Sequence, residues 1–239
     1  IMNEAIDELK ENEFKDLYQE ENDIETKEFV KDIQIFLWCA PCILIWGMTL
    51  AVCRSVRTPA LFPLRLFAAA YTDIFRGIPV ILTILLVGFG VPGLGLGRPW
   101  NSPYLWGSVA LVLAYSSYVA EVFRAGIESV HESQRAGARS LGLSSGQTLR
   151  FVVLPQAVRR VIPPLMNDFV SLQKDVALIS LIGPIEILRQ AGIDKSKFAN
   201  FTPYVGAAII FLLLTIPETR FVDHLMTRER RRTSGTAVR

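Results

Sequence analysis

Four stretches of this chain, each about 20 residues long, carry no charged side chain. Residues 33–53 lie between Asp32 and Arg54, 77–97 between Arg76 and Arg98, 99–120 between Arg98 and Glu121, and 198–217 between Lys197 and Glu218. A helix needs about 20 predominantly apolar residues to cross a bilayer. Four windows of that length in 239 residues are hard to bury in the competing arrangement, a soluble helical bundle. The chain reads as an all-α membrane protein. Its 51% apolar and 20% charged residues and mean hydropathy of +0.34 lean the same way without deciding it.

A fifth span falls at 161–188. It is mostly apolar but carries Asp168, Lys174 and Asp175, with Gly183-Pro184 near its end. Charges at membrane depth are costly and face a cavity or the bundle interior. Two readings stand: a span lining a polar cavity, or an interfacial 161–175 followed by a short re-entrant segment. Asp168 and Asp175 are seven apart, hence on one helical face, with Lys174 at its edge.

Basic residues set the orientation. Arg54, Arg57 and Arg65 follow the first window. Arg124, Arg135, Arg139, Arg150, Arg159 and Arg160 fill 124–160, and Arg220, Arg228, Arg230, Arg231 and Arg232 end the chain. The intervening loops hold Arg98, then Arg189, Lys195 and Lys197. Five spans with this alternation put the C-terminus in the cytoplasm and the N-terminus outside.

The net charge of +2 hides a division. Residues 1–34 hold 12 acidic residues against 4 lysines, a net of −8, and the remainder is +10. Residues 1–32 lack the basic and apolar regions of a secretory signal. Ile6, Leu9, Phe14, Leu17 and Tyr18 recur at helical spacing, so the segment is an acidic tail or a short amphipathic helix. The domains expected are therefore 1–32, a membrane domain over 33–228 and a basic tail over 229–239.

Cys39, Cys42 and Cys53 share one apolar window and read as filler. No second Cys/His pair completes a metal site. The arginines at 228–232 adjoin a span end and read as anchors on anionic lipid, with no nucleic-acid role.

The stretch 132–155 is the informative loop. Residues 132–141 have helix-forming composition, and Gly142 sits where a left-handed glycine stops a helix. Ser144 and Gln147 have capping-box spacing and start the next one. A polar helix, a sharp turn and a second helix on the cytoplasmic side are too ordered for a connector and suit docking of a soluble partner.

This loop resembles the E-A-A-x3-G-x9-I-x-L-P signature of the membrane subunits of bacterial ABC importers. Ala136-Gly137-Ala138 occupies the triplet, Gly142 the glycine, Val152 the isoleucine position and Leu154-Pro155 the end. Further motifs are similar to the polar amino-acid permeases: Phe75-Arg76-Gly77-Ile78-Pro79, Ala120-Glu121-Val122-Phe123-Arg124-Ala125-Gly126-Ile127, Leu154-Pro155-Gln156-Ala157, and Lys174-Asp175 followed by Leu178. The resemblance covers roughly 35–230. Three positions depart from it: Ala136 replaces the triplet's glutamate, Ile78 the threonine before the membrane proline, and Thr83 a glutamine.

The resemblance implies a type I ABC importer permease fold, with about five transmembrane helices and a coupling loop at about 132–150. It implies a pair of such subunits, homo- or heterodimeric, two soluble ATPase subunits beneath, and a solute-binding protein delivering a polar amino acid such as glutamate, glutamine, histidine or arginine. ATP and Mg then belong to the ATPase. This chain has no Walker A run and is expected to be non-catalytic, with no cofactor of its own. ATPase coupling is expected from Glu132, Arg135, Ala136, Gly137, Ala138, Arg139, Gly142, Leu154 and Pro155. Glu121 and Arg124, three apart on one face, are expected to hold packing at the gate, or else to be a snorkelling arginine beside a cytosolic carboxylate. Lys174 is expected to meet a substrate carboxylate and Asp168 or Asp175 its ammonium, unless these charges pair with neighbouring helices. The rival class, a channel or secondary transporter working without an ATPase, has no need of the capped loop.

Overall fold

The computed structural model describes the backbone of residues 2–55, 59–95, 97 and 100–235, and the side chains within that set except those of 2–26, 198 and 229–235. Every regular element among the described residues is helical. Three helices are long and apolar enough to cross a membrane, and two bent helix pairs raise the number to five.

α1 (Met2–Ser55) is continuous. The helix runs through the boundary expected at residue 32. Glu28 and Lys31, one turn apart at 2.6 Å, sit inside it, and the first span lies within Lys27–Ser55. A charge changes where a helix meets water, not where its hydrogen bonding stops.

The window 77–97 is not one span. α2 (Phe62–Gly77) and α3 (Val80–Gly90) meet at Ile78-Pro79. Ile78 is extended, with φ −97° and ψ 131°, because the proline ring disfavours the helical region for the residue before it. The two arms bend by 105°. α3 alone, with 11 residues, would reach only about 16 Å.

α4 (Pro103–Glu128) starts with Ser102 accepting from the Leu105 amide at 3.5 Å and Pro103 in the first turn. It runs past the expected window, so Glu121 and Arg124 lie within the helix. α4 is the hub and packs against α1, α2, α3 and α7. Ala110, Leu111, Tyr115 and Val119 join Cys39 and Ile43 of α1 and Leu172 and Ile179 further on in the largest core cluster. Half of its most apolar window is buried, against 28% for α1 and 11% for the last span. A Cβ on Gly47 would fall 2.6 Å from Val119. Glycine there lets α1 and α4 approach closely, the way membrane helices gain contact without a hydrophobic drive between them.

α5 (Glu132–Ser140) and the four-residue α6 (Ser145–Thr148) lead through a π turn, Leu149–Val153, into α7 (Leu154–Asp175). Pro155 explains the π turn. It has no N–H and its ring collides with the carbonyl four residues back. The chain widens by one residue, and the Leu154 amide bonds the Leu149 carbonyl. α7 continues as a 3₁₀ helix, Val176–Ile182, until Gly183 (φ +120°), and α8 (Ile187–Phe198) follows with a 54° bend. The segment 161–188 is thus continuous helix to residue 182, and the bent pair it forms with α8 is either a broken span or a re-entrant element. α9 (Thr202–Gly235) contains the last span and carries its helix into the expected tail 229–239, as far as 235.

Large apolar side chains cover the outside. Trp38 is 73% exposed and Leu213 71%. In water such a surface would be an aggregation hazard; here it is the face for lipid.

Candidate functional site

The turn between α5 and α6 has the geometry its residues require. Gly142 has φ +85°. Its amide bonds the Arg139 carbonyl at 3.0 Å, and the Leu143 amide bonds the Ala138 carbonyl at 3.2 Å. This is a Schellman motif. Ser144 accepts from the Gln147 amide at 3.3 Å while the Gln147 side chain accepts from the Ser144 amide at 2.9 Å, a complete capping box. At the start of α5 the His131 ring accepts from the Ser133 amide at 3.2 Å. The helix ends are satisfied locally, so the element holds its shape without a partner.

It is also mounted. Arg135 Nη2 donates to the Ile127 carbonyl at 2.8 Å, and Arg160 Nη1 donates to the Ser129 carbonyl and, at 3.1 Å, to its hydroxyl. Val130, Val153 and Ala157 close a small apolar cluster beneath. α4 and α7 meet tightly there: a Cβ on Gly126 would overlap Val161 and lie 3.4 Å from the Ala157 carbonyl. The element is fixed to the ends of both helices at once.

Of the residues expected in this loop, Glu132, Ala136, Gly137, Arg139 and Gly142 are exposed, Arg135 is half-buried and Ala138 is buried as an anchor. Pro155 acts through the π turn. Leu154 begins α7 and is exposed. Leu141 was not among the expected residues. It is 84% exposed at the tip of the turn, with Leu149 and Phe151 also outward. Its signal was the helix cap itself, since the residue before a left-handed glycine stands at the apex.

Glu121 is a junction. Arg124 donates to it through Nε at 3.1 Å and through Nη2. Arg54 from the end of α1 donates at 3.2 Å, and Arg76 from the end of α2 stands 3.7 Å away. Arg124 also reaches Glu128 at 2.6 Å. One carboxylate ties α1, α2 and α4 together just before the α2–α3 bend. The expected pair Glu121–Arg124 is present; Arg54 and Arg76 join it.

The charges of α7 part company. Tyr115 of α4 donates its hydroxyl to Asp175 Oδ2 at 2.8 Å, and Asp168 lies within electrostatic range of the same hydroxyl. Asp168 Oδ2 is buried with no hydrogen-bond partner. Lys174 is exposed and lies in electrostatic range of Glu218 on α9. The two carboxylates face α4, and the lysine faces α9. Among the described residues no group of three or more His, Cys, Asp or Glu could hold a metal ion.

Several apolar helices, a preformed two-helix element at one end and buried polar groups without partners suit a multi-pass membrane subunit. The sequence profile of the family described as binding-protein-dependent transport system inner membrane component matches residues 35–231, and the chain belongs to that family. A probable glutamine ABC transporter permease of Bacillus subtilis is 34% identical over 77% of this chain and 83% of its own length. A probable amino-acid ABC transporter permease of Sinorhizobium fredii is 37% identical over 76% and 75%. A chain from a crystal structure of an amino acid ABC transporter with histidines superposes with a TM-score of 0.76 at 29% identity, over 85% of this chain and 94% of that one. The fold is that of a type I ABC importer permease. The acidic segment before residue 35 lies outside the family match.

Proposed function

We propose that this chain carries a polar or charged amino acid inward as one of a pair of permease subunits. Two separate ATPase subunits bind ATP and Mg and drive it, and a solute-binding protein supplies the substrate. The names of the relatives support the amino-acid class. The distribution of arginines supports a cytoplasmic C-terminus, an N-terminus outside and the α5–α6 element facing the ATPase.

The observation that carries the coupling role is the mounting of that element. Its turn is locked by caps at both sides of Gly142, and its base is bonded to α4 and packed on α7. A push on α5 therefore moves both helices together, and bistable packing turns that into a switch between inward and outward states. Asp168 and Asp175, on the α4 face, are suited to a substrate ammonium; Lys174 is suited to a carboxylate from its own side. An amino-acid zwitterion brings both charges and needs both answered.

Leu141 supplies the apolar knob for a groove on the ATPase. Leu141→Asp should weaken ATPase association about tenfold, the loss of about 1.4 kcal/mol of apolar burial, and leave membrane insertion intact. The test is pull-down of co-expressed ATPase together with ATP-dependent uptake in vesicles. Wild-type-level association by the mutant would remove the knob. Uptake by the permease alone, without ATP, would replace the importer reading with a channel.

A further inference from the structure

A cavity of about 450 Å³ lies between α1, α7 and α9, away from the α4 face of α7. Its walls are apolar, and three phenylalanines, Phe36, Phe169 and Phe221, contribute. Phe36 and Phe169 meet edge to face, with ring centroids 6.4 Å apart and an interplanar angle of 90°. A single charged residue, Glu218, is in the lining. Its Oε2 is buried and has no hydrogen-bond partner. Lys174 acts on it only as a charge at longer range.

These features select a ligand. A carboxylate at the edge of hydrocarbon is expensive unless a cation answers it. Aromatic faces attract ammonium groups. The remaining wall offers no donor for a carboxylate or phosphate, which excludes a zwitterionic amino acid as a well-matched occupant. The cavity opens beside outward-facing Leu37 and Phe221, so entry is sideways from lipid. We propose that this cavity is a binding site for an amphiphilic amine, whose ammonium sits on Glu218 while its apolar body lies among Phe36, Phe169 and Met166. The site is separate from the Asp168–Asp175 face and occupies the seam where α9 packs on α1 and α7. Its occupant bridges three spans. A free alkylamine has this chemistry, and a lipid with an ethanolamine headgroup offers the same ammonium when its phosphate stays outside the cavity.

The experiment uses the purified full-length permease in detergent, with decylammonium and decanol as probes and thermal unfolding as the readout. Decylammonium should raise the melting temperature at concentrations where decanol, equal in apolar length, does not. Glu218→Gln should weaken the decylammonium effect about tenfold, within the range of one charge-assisted hydrogen bond, and leave the response to decanol alone. Ala40→Phe fills the cavity without touching the charge and should abolish the response; it carries the test should Glu218→Gln fail to fold. Equal stabilisation by the two probes, or an unchanged decylammonium response in Ala40→Phe, overturns the site. Reconstitution then separates the sources. If vesicles containing phosphatidylethanolamine raise the decylammonium concentration needed, relative to vesicles of equal phosphatidylglycerol content in which phosphatidylcholine, whose ammonium has no proton to donate to Glu218, takes its place, the site is taken by lipid. An unchanged requirement assigns it to free amines. Both results presuppose binding and support the cavity.

Discussion

The α5–α6 turn and the polar face of α7 follow opposite rules. In the turn, the amides of Gly142, Leu143, Ser144 and Gln147 are bonded within a few residues. In α7, Asp168 Oδ2 and Gln173 Oε1 are buried without a partner, where an unmade hydrogen bond costs about 1–3 kcal/mol. The satisfied region keeps one shape and transmits force. The unsatisfied region is incomplete by itself and gains by binding something polar. The proposed transport cycle uses both, and the tight Gly126–Val161 contact joins them.

The rigid turn is most vulnerable at Gly142. Gly142→Val forces a β-branched residue to φ +85°, costing about 1–2 kcal/mol or more for the left-handed backbone. We expect ATP-driven uptake to fall by more than about tenfold while membrane insertion and helical content persist. Normal uptake by that variant would show that the turn need not be rigid.

The polar face comes next. Asp168→Asn and Lys174→Met, assayed singly for uptake with binding protein and ATP in excess, should each reduce transport about tenfold, the loss of one charge-assisted contact of about 1.5 kcal/mol. Unchanged apparent affinity and rate in both would make these charges structural. A smaller effect is expected at the junction. Glu121→Gln leaves Arg54, Arg76 and Arg124 without their shared carboxylate, and should lower thermal stability by about 1–2 kcal/mol in a partly wet site. An unaltered melting temperature together with unaltered uptake would reduce Glu121 to a surface charge. Smallest is Ala136→Glu, which restores the family's carboxylate on an exposed position and should tighten ATPase association by about 0.5–1 kcal/mol, measurable as slower dissociation on an immobilised permease. Weaker association would mean the partner surface has adapted to alanine.

What was legible in the sequence follows the range of the interactions. The shape of the α5–α6 turn could be read because its signals are local: a glycine that tolerates positive φ, and a serine and glutamine three apart. The Glu121 junction could be read only as far as Arg124, since Arg54 lies 67 residues away and nothing in the local pattern links them. Pro79 was visible, yet counting charge-free residues is blind to whether the helix continues through them; hence the single span expected at 77–97. Asp32 could be read only as the end of a charge-free window. Its burial at 3% exposure, where α1 packs on α8 in electrostatic range of Glu186, depends on a helix more than 150 residues away. Glu218 closed one charge-free window in the sequence, and its cavity appears only when α1, α7 and α9 are assembled around it.

The Gly126–Val161 contact also has a mechanical consequence. It lies seven residues into α7 from Leu154 and fourteen short of Asp175. The Arg160–Ser129 bond and this contact tie α7 to α4 at neighbouring levels, which resists sliding of one helix past the other. The pair tilts as one strut. A displacement imposed on the α5–α6 element therefore reaches Asp175, on our proposal a substrate-facing residue, without being taken up as shear between the two helices.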